Sequence, residues 1–397
     1  MQALFISHSG ISPIVYSQGI PQMKELSKKG IHFIFFSFQH KSTKKVDWLV
    51  KELEQSGINW YTLNYWHWPF FPASLLDIIR GIFYISWLIK KKKIEVIQTR
   101  SYIPAIMVWF IKKFFRINFI FDMRGLIPDE QAYSGNWPKG SLKYKLAKYV
   151  EKKLILSADS IVVVNESFKD YIQNSILYKT KKNITVIPNC VDVNKFVFNP
   201  KQRKNLRLKL GLSDKLVLVY SGSFAEWHLI DKMINFFIVL KKTSNRAHFL
   251  ILSYEKDKTK TILNNNLIEV DYTIIDVPPQ EMPNYLSIAD LAISFIQPTF
   301  TKKIACSPIK FAEYLSTGLP VIINGQISGT DEMVKKNNLG VVIDEFNKEN
   351  YQTGVKNILK ILEDKNTNIR CRKFIENNLS LKQSINKYES IYQSFKK

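Results

Sequence analysis

Short apolar runs recur along this 397-residue chain, each separated from the next by a segment long enough for a helix. Ala3–Ser7, Ile31–Phe38, Trp60–Leu63, Val96–Thr99, Asn118–Phe121, Ser160–Val164 and Thr185–Ile187 form one series. Leu216–Tyr220, His248–Leu252, Thr273–Ile275, Leu291–Phe295, Val321–Ile323 and Gly340–Ile343 form a second. Strands alternating with helices predict mostly parallel, doubly wound sheets, whose ligands bind at the carboxyl ends of the strands. Between the two series, Lys195–Asp214 is polar, basic and interrupted by Pro200, and reads as a linker. Two consecutive α/β domains, 1–196 and 214–380 joined by 197–213, account for the pattern better than one large sheet. A last helix, about Lys382–Phe395, puts Ile385, Tyr388, Ile391 and Tyr392 on one side. It follows a completed domain, so it must pack somewhere other than on a sheet of its own.

Ser307–Asn324, SPIKFAEYLSTGLPVIIN, has every boundary of a helix and a buried strand marked. Ser307 is a good N-cap, Pro308 suits the first helical position, Gly318 supplies a left-handed stop and Pro320 prevents continuation. Lys310 is out of place: in the first turn it adds positive charge to an end already positive. An anion there removes the conflict, and phosphate is the usual one. Glu313 shares a face with Lys310. The two could hold the diphosphate and the ribose of a nucleotide, or be an exposed ion pair on an ordinary amphipathic helix.

Composition narrows the partners. The net charge is +23, with 28 basic against 14 acidic side chains in the first 200 residues. That balance favours nucleic acid, an anionic membrane or a phosphorylated substrate. No nucleic-acid motif is present, and the cations are spread over both halves. Cys190, Cys306 and Cys371 give neither a disulfide framework nor metal spacing, as expected of a reducing cytoplasm. The start, MQALFIS, lacks the basic region of a signal peptide. Ala73–Ile89, interrupted by Asp77 and Arg80, falls short of the ~20 apolar residues of a span.

Other candidate chemistry sits at strand ends. Ser221, Gly222 and Ser223 follow a buried strand, and a glycine there admits close approach of a diphosphate; the same residues also suit a plain turn. Ser9 and Gly10 repeat the signal after the first strand. Asp122, Arg124, Asp129 and Glu130 gather charge around Gly125 and Pro128 at another strand end, as a site or as a salt-bridged loop. Lys302, Lys303 and Lys310 place three cations near one helix start. No Asp-x-Asp occurs, so no metal clamp on a diphosphate is expected. Of the six histidines, His8 alone falls in a promising loop. Tyr65–Phe71, Tyr84–Lys93 and Trp109–Phe115 interleave aromatics with lysines, which suits either an in-plane membrane contact or core helices with basic ends.

These stretches together resemble the GT-B glycosyltransferases of the retaining family 4 type over nearly the whole chain. SPIKFAEYLSTGLPVI is similar to the nucleotide-sugar motif, YSGSFAEW (Tyr220–Trp227) to the diphosphate loop, and VIPNCVDVNKF (Val186–Phe196) to the interdomain segment. Asp122–Glu130 resembles the acceptor-side motif. The last helix resembles the crossover helix that returns to the first domain, assigning 381–397 to it. Of the family's paired glutamates only the second remains, as Glu313; the first position is Ala305. Arg124 stands where many relatives have a histidine, and Cys190 replaces a glycine.

The resemblance implies two Rossmann-like domains facing a cleft, and a sugar moved with retention from a nucleotide-diphosphate donor to a lipid-linked or saccharide acceptor. The setting would be bacterial surface polysaccharide assembly, of capsule or O-antigen type. It places Lys310, Arg124 and Asp122 in catalysis. Glu313, Ser307, Pro308, Ile309, Ser221, Gly222, Ser223, Lys302 and Lys303 would bind the donor, and Ser9, Gly10, Asp129 and Glu130 would lie on the acceptor side. No cofactor or metal is implied, and the location would be cytoplasmic, peripheral on an anionic membrane. The competing readings are a non-enzymatic basic α/β protein that binds nucleic acid, and a pseudo-enzyme lacking donor-sugar contacts because of Ala305.

Overall fold

The structure, a computed structural model, describes residues 1–8, 15–39, 47–65, 70–225, 227–255, 260, 263 and 271–396, with backbone only at 47–48 and 70–73. The chain divides into two compact units, one of Met1–Pro188 with Leu381–Lys397, the other of Asn189–Ser380.

The first unit is built on seven parallel strands, β1 (Gln2–Ser7), β2 (His32–Gln39), β3 (Asn59–Asn64), β4 (Val96–Arg100), β5 (Asn118–Asp122), β6 (Ser160–Val163) and β7 (Ile184–Val186). Their order is β3-β2-β1-β4-β5-β6-β7, so the connection reverses between β1 and β4. Inner strands are apolar without alternation because helices cover both faces. Ala3, Leu4, Phe5 and Ile6 are all fully buried. The last helix, Leu381–Gln393, belongs to this unit. Its Ile385, Tyr388, Ile391 and Tyr392 close the core below β1 and β2, where the Tyr392 ring meets Phe33 edge-on at 5.6 Å. A helix whose apolar stripe has no partner locally is thereby accounted for.

The second unit has six parallel strands, β8 (Leu216–Ser221), β9 (Ala247–Leu252), β10 (Tyr272–Ile275), β11 (Leu291–Ser294), β12 (Val321–Asn324) and β13 (Gly340–Ile343). Their order, β10-β9-β8-β11-β12-β13, reverses between β8 and β11. One expectation needs correcting. The stretch read as a linker contains the helix Pro200–Lys209, capped by Asn199 and docked on this unit. Its Arg203 donates to the Ser287, Ile288 and Ala289 carbonyls, and buried Arg207 pairs with Asp290. Polar, basic composition suggested a linker, but these guanidiniums bind carbonyls and a carboxylate.

Candidate functional site

The helix at the centre of the sequence motif runs Ile309–Ser316. Its C-terminus is the expected one: Gly318 has φ +86°, its N–H donates to Leu315 O, and Leu319 N–H donates to Tyr314 O. The N-terminus differs from expectation. Pro308 occupies the cap position, and no side chain caps the first turn. Ser307 turns away, its hydroxyl accepting from Asn189 N–H at 3.0 Å and its carbonyl from Asn189 Nδ2 at 2.7 Å. Ser307 therefore fastens Asn189, and the first-turn amides keep their partial positive charge uncapped.

Lys310 projects from that turn to the carboxyl end of β8, beside the switch point of the sheet. Its Nζ donates to His228 Nε2 at 3.0 Å and to the Tyr220 hydroxyl at 3.2 Å, and lies 4.7 Å from the Tyr220 ring centre. The stem crosses Gly222, which has φ +131°. A Cβ there would come within 2.4 Å of Lys310 Cε and 2.6 Å of Nζ, so a side chain at 222 would be strained in conformation and would displace the end of the lysine. Tyr220 donates its own proton to Ser223 O at 2.6 Å, which leaves its lone pair for the lysine. Burial pulls the Lys310 ammonium down to about 7, against a smaller upward effect of Glu313. Burial, then Lys310 and Lys302, push His228 down to about 3, so its ring is neutral.

Glu313 is half-buried one turn on, and desolvation raises its carboxyl to about 7 against Lys310 and Lys195. The exposed-pair alternative therefore does not hold. Ser221 is less free than expected, because its N–H donates to the Tyr314 hydroxyl at 2.8 Å and its own hydroxyl lies 3.0 Å from it. Lys302 stands on the short helix Phe300–Ile304, with its ammonium 5.9 Å from the Trp227 ring centre, whereas Lys303 is exposed. Ala305 is buried. Lys310, Gly222 and Ser223 thus come together, with Ser221, Ser307, Pro308, Ile309 and Glu313 around them. His228, Tyr220 and Tyr314 were missed. His228 directly follows the motif-like stretch and carries no spacing signal.

In the first unit, Asp122 is fully buried at the end of β5. Arg124 Nε lies 2.6 Å from Asp122 Oδ1 and its Nη2 donates to Oδ2 at 2.8 Å, while Arg100 approaches to 3.6 Å. Tyr388 of the last helix accepts from Arg124 and donates to Asp122. Asp129 joins a different cluster, accepting from Lys148 Nζ at 3.0 Å and the Tyr144 hydroxyl at 2.8 Å. Lys148 also pairs with buried Glu151. Glu130 is half-buried beside Gly125. Ser9 and Gly10 lie outside the described residues. Among the described residues, no three His, Cys, Asp or Glu side chains are grouped to hold a metal ion.

Two family models match the chain. Glycosyltransferase Family 4 matches residues 22–195, and Glycosyl transferases group 1 matches residues 202–379. No curated protein matches it. Solved structures do. A glycosyltransferase from Rickettsia africae is 19% identical, with 99% of this chain and 98% of that one covered and a TM-score of 0.74. HepE from Anabaena, solved with UDP and glucose, is 13% identical over 99% and 100% of the chains, with a TM-score of 0.73. WaaG, a glycosyltransferase involved in lipopolysaccharide biosynthesis, is 13% identical over 98% and 99%, with a TM-score of 0.68.

Proposed function

Because the chain belongs to the GT-B glycosyltransferases, with a family 4 first domain and a group 1 second domain, and is thus a nucleotide-sugar-dependent enzyme, we propose how its own residues serve that transfer. The donor diphosphate binds over Gly222, between Lys310 and the uncapped first turn of the Ile309–Ser316 helix, and Glu313 holds the ribose hydroxyls. The observation that carries this reading is Lys310, a cation brought out of water against a positive helix end and, among the described residues, hydrogen-bonded to neutral groups. Transfer proceeds with retention and without an enzyme nucleophile. The leaving diphosphate oxygen takes the acceptor proton while Lys310 and the first-turn amides stabilise its charge. Asp122 and Arg124 position the last helix rather than touch the sugar.

The acceptor is a lipid-linked saccharide of surface polysaccharide assembly, met at an anionic membrane on its cytoplasmic side. The helix Phe70–Lys92 supports this. It buries Asp77, Ile85 and Leu88 while Leu75, Ile79, Phe83 and Trp87, one turn apart, are exposed. Lys90–Lys93 follow, and neighbouring Phe110 and Phe114 are exposed beside Lys113. No described helix is long and apolar enough to cross a membrane. Of Tyr65–Phe71, residues 66–69 and the side chains of Phe70 and Phe71 lie outside the described residues.

The test is thermal shift with UDP-, GDP- and other nucleotide sugars, on the wild type and on Glu313→Ala. One nucleotide class should raise the wild-type melting temperature, and the variant should keep its apo melting temperature while losing most of the shift. An undiminished shift in Glu313→Ala removes the ribose assignment.

A further inference from the structure

We propose that His228 is a positioning residue for the donor diphosphate, its Nε2 lone pair holding the Lys310 ammonium over Gly222. This rests on the reading of Lys310 given above.

The Lys310 ammonium only donates hydrogen bonds, so opposite the charged lysine, at 3.0 Å, the His228 Nε2 accepts. That fixes the neutral tautomer with its proton on Nδ1. The backbone that carries the ring is itself tied down. His228 forms an antiparallel bridge with Ile296, Leu229 N–H donates to Phe295 O, and Trp227 O accepts from Gln297 N–H. The Asn324 side chain then clamps Ile296 through both its N–H and its carbonyl, at 2.7 and 2.9 Å. The segment after β11 and the end of β12 thus fix the backbone at His228, and its ring lies 5.9 Å from the Tyr220 ring and 6.0 Å from that of Trp227.

The second acceptor, the Tyr220 hydroxyl, is also neutral. Among the described residues, no carboxylate forms an ion pair with Lys310. Neutral acceptors orient an ammonium without cancelling its charge, whereas a carboxylate would orient it and quench it. With burial and two lysines depressing its basicity, His228 remains an acceptor through neutral pH. A lysine so held stays in position, and the charge it carries or regains faces an incoming anion rather than a carboxylate partner.

The test compares affinities for UDP against UMP, and for GDP against GMP, by calorimetry, since the diphosphate preference isolates the contact made by Lys310. His228→Ala should cut the preference of the pair that binds by roughly three- to tenfold, with monophosphate affinity unchanged. His228→Gln, whose amide oxygen is a neutral acceptor, should restore it; His228→Glu should not, although it too can hold the lysine. These two variants decide the matter even if the alanine variant fails to fold. Adding His228→Ala to Lys310→Ala should cost nothing further. Full preference in His228→Ala, equal behaviour of Gln and Glu, or additive losses in the double variant overturn the proposal. If Lys310→Ala itself keeps the preference, the diphosphate reading falls and this inference falls with it.

Discussion

Gly222 and Lys310 are one unit at the residue scale, since the lysine stem occupies the volume that any side chain at 222 would need. Gly222→Ala should cost about 1–2 kcal/mol of stability through its positive φ. It should also weaken nucleoside diphosphate binding by roughly tenfold or more, because a displaced lysine loses a charge-assisted contact. Calorimetry and urea unfolding separate the two effects. Lys310 further predicts a proton linkage. Its pKa is lowered to about 7, so charging it opposes folding at pH values below 10.5, most fully below 7. Lys310→Met should therefore raise apo stability near pH 7 by about 1 kcal/mol, a gain of ~2–4 °C that fades towards alkaline pH. A diphosphate bound beside Lys310 should restore the charged form, so binding near pH 8 should take up a proton. Calorimetry in two buffers of different ionisation enthalpy reads that uptake, which should vanish in Lys310→Met.

At the scale of elements, the ends of β4 and β5 are tied to the last helix by Arg100, Asp122, Arg124 and Tyr388. Burial lowers Arg100 to about 10, with Arg124 adding repulsion and Asp122 opposing both. Asp122→Asn leaves two guanidiniums without their counter-ion and should destabilise the protein by about 3–5 kcal/mol in urea unfolding. Tyr388→Phe removes one hydroxyl and should cost about 1 kcal/mol. A positioning role also predicts that Arg124→Met lowers stability and turnover together. Turnover lost at unchanged stability would return Arg124 to direct contact with substrate.

For the whole molecule, charge and exposed apolar area coincide on the first unit. Each near-surface lysine contributes about 1 kcal/mol to binding an anionic leaflet, so Lys90–Lys93 and their neighbours suffice for reversible attachment. Cosedimentation with vesicles of rising anionic-lipid content should show binding. It should fall as the Debye length shrinks from ~10 Å at 0.1 M to ~3 Å at 1 M salt. Replacing Lys90–Lys93 by Gln should release the protein at unchanged melting temperature. A wild type that stays in the supernatant throughout would assign the exposed stripe to another partner.

The sequence alone determined the strands, because a strand buried on both faces must be apolar wherever it falls. Among the described residues, all thirteen strands overlap the apolar runs, and the two series separate the two sheets. It also determined the Gly318 stop and singled out Lys310, since a cation in a first turn conflicts with the local dipole whatever the surroundings. Tertiary structure decided the rest. Ser307 reads as a cap from its neighbours but is claimed by Asn189, 118 positions away. The basic stretch at 200–209 reads as part of a linker, yet its arginines find carbonyls beyond residue 286. His228 and Lys310 are 82 positions apart, and no local pattern records a contact made where two strand ends converge. Periodicity reports what a residue needs from water; it cannot report which distant group will meet that need.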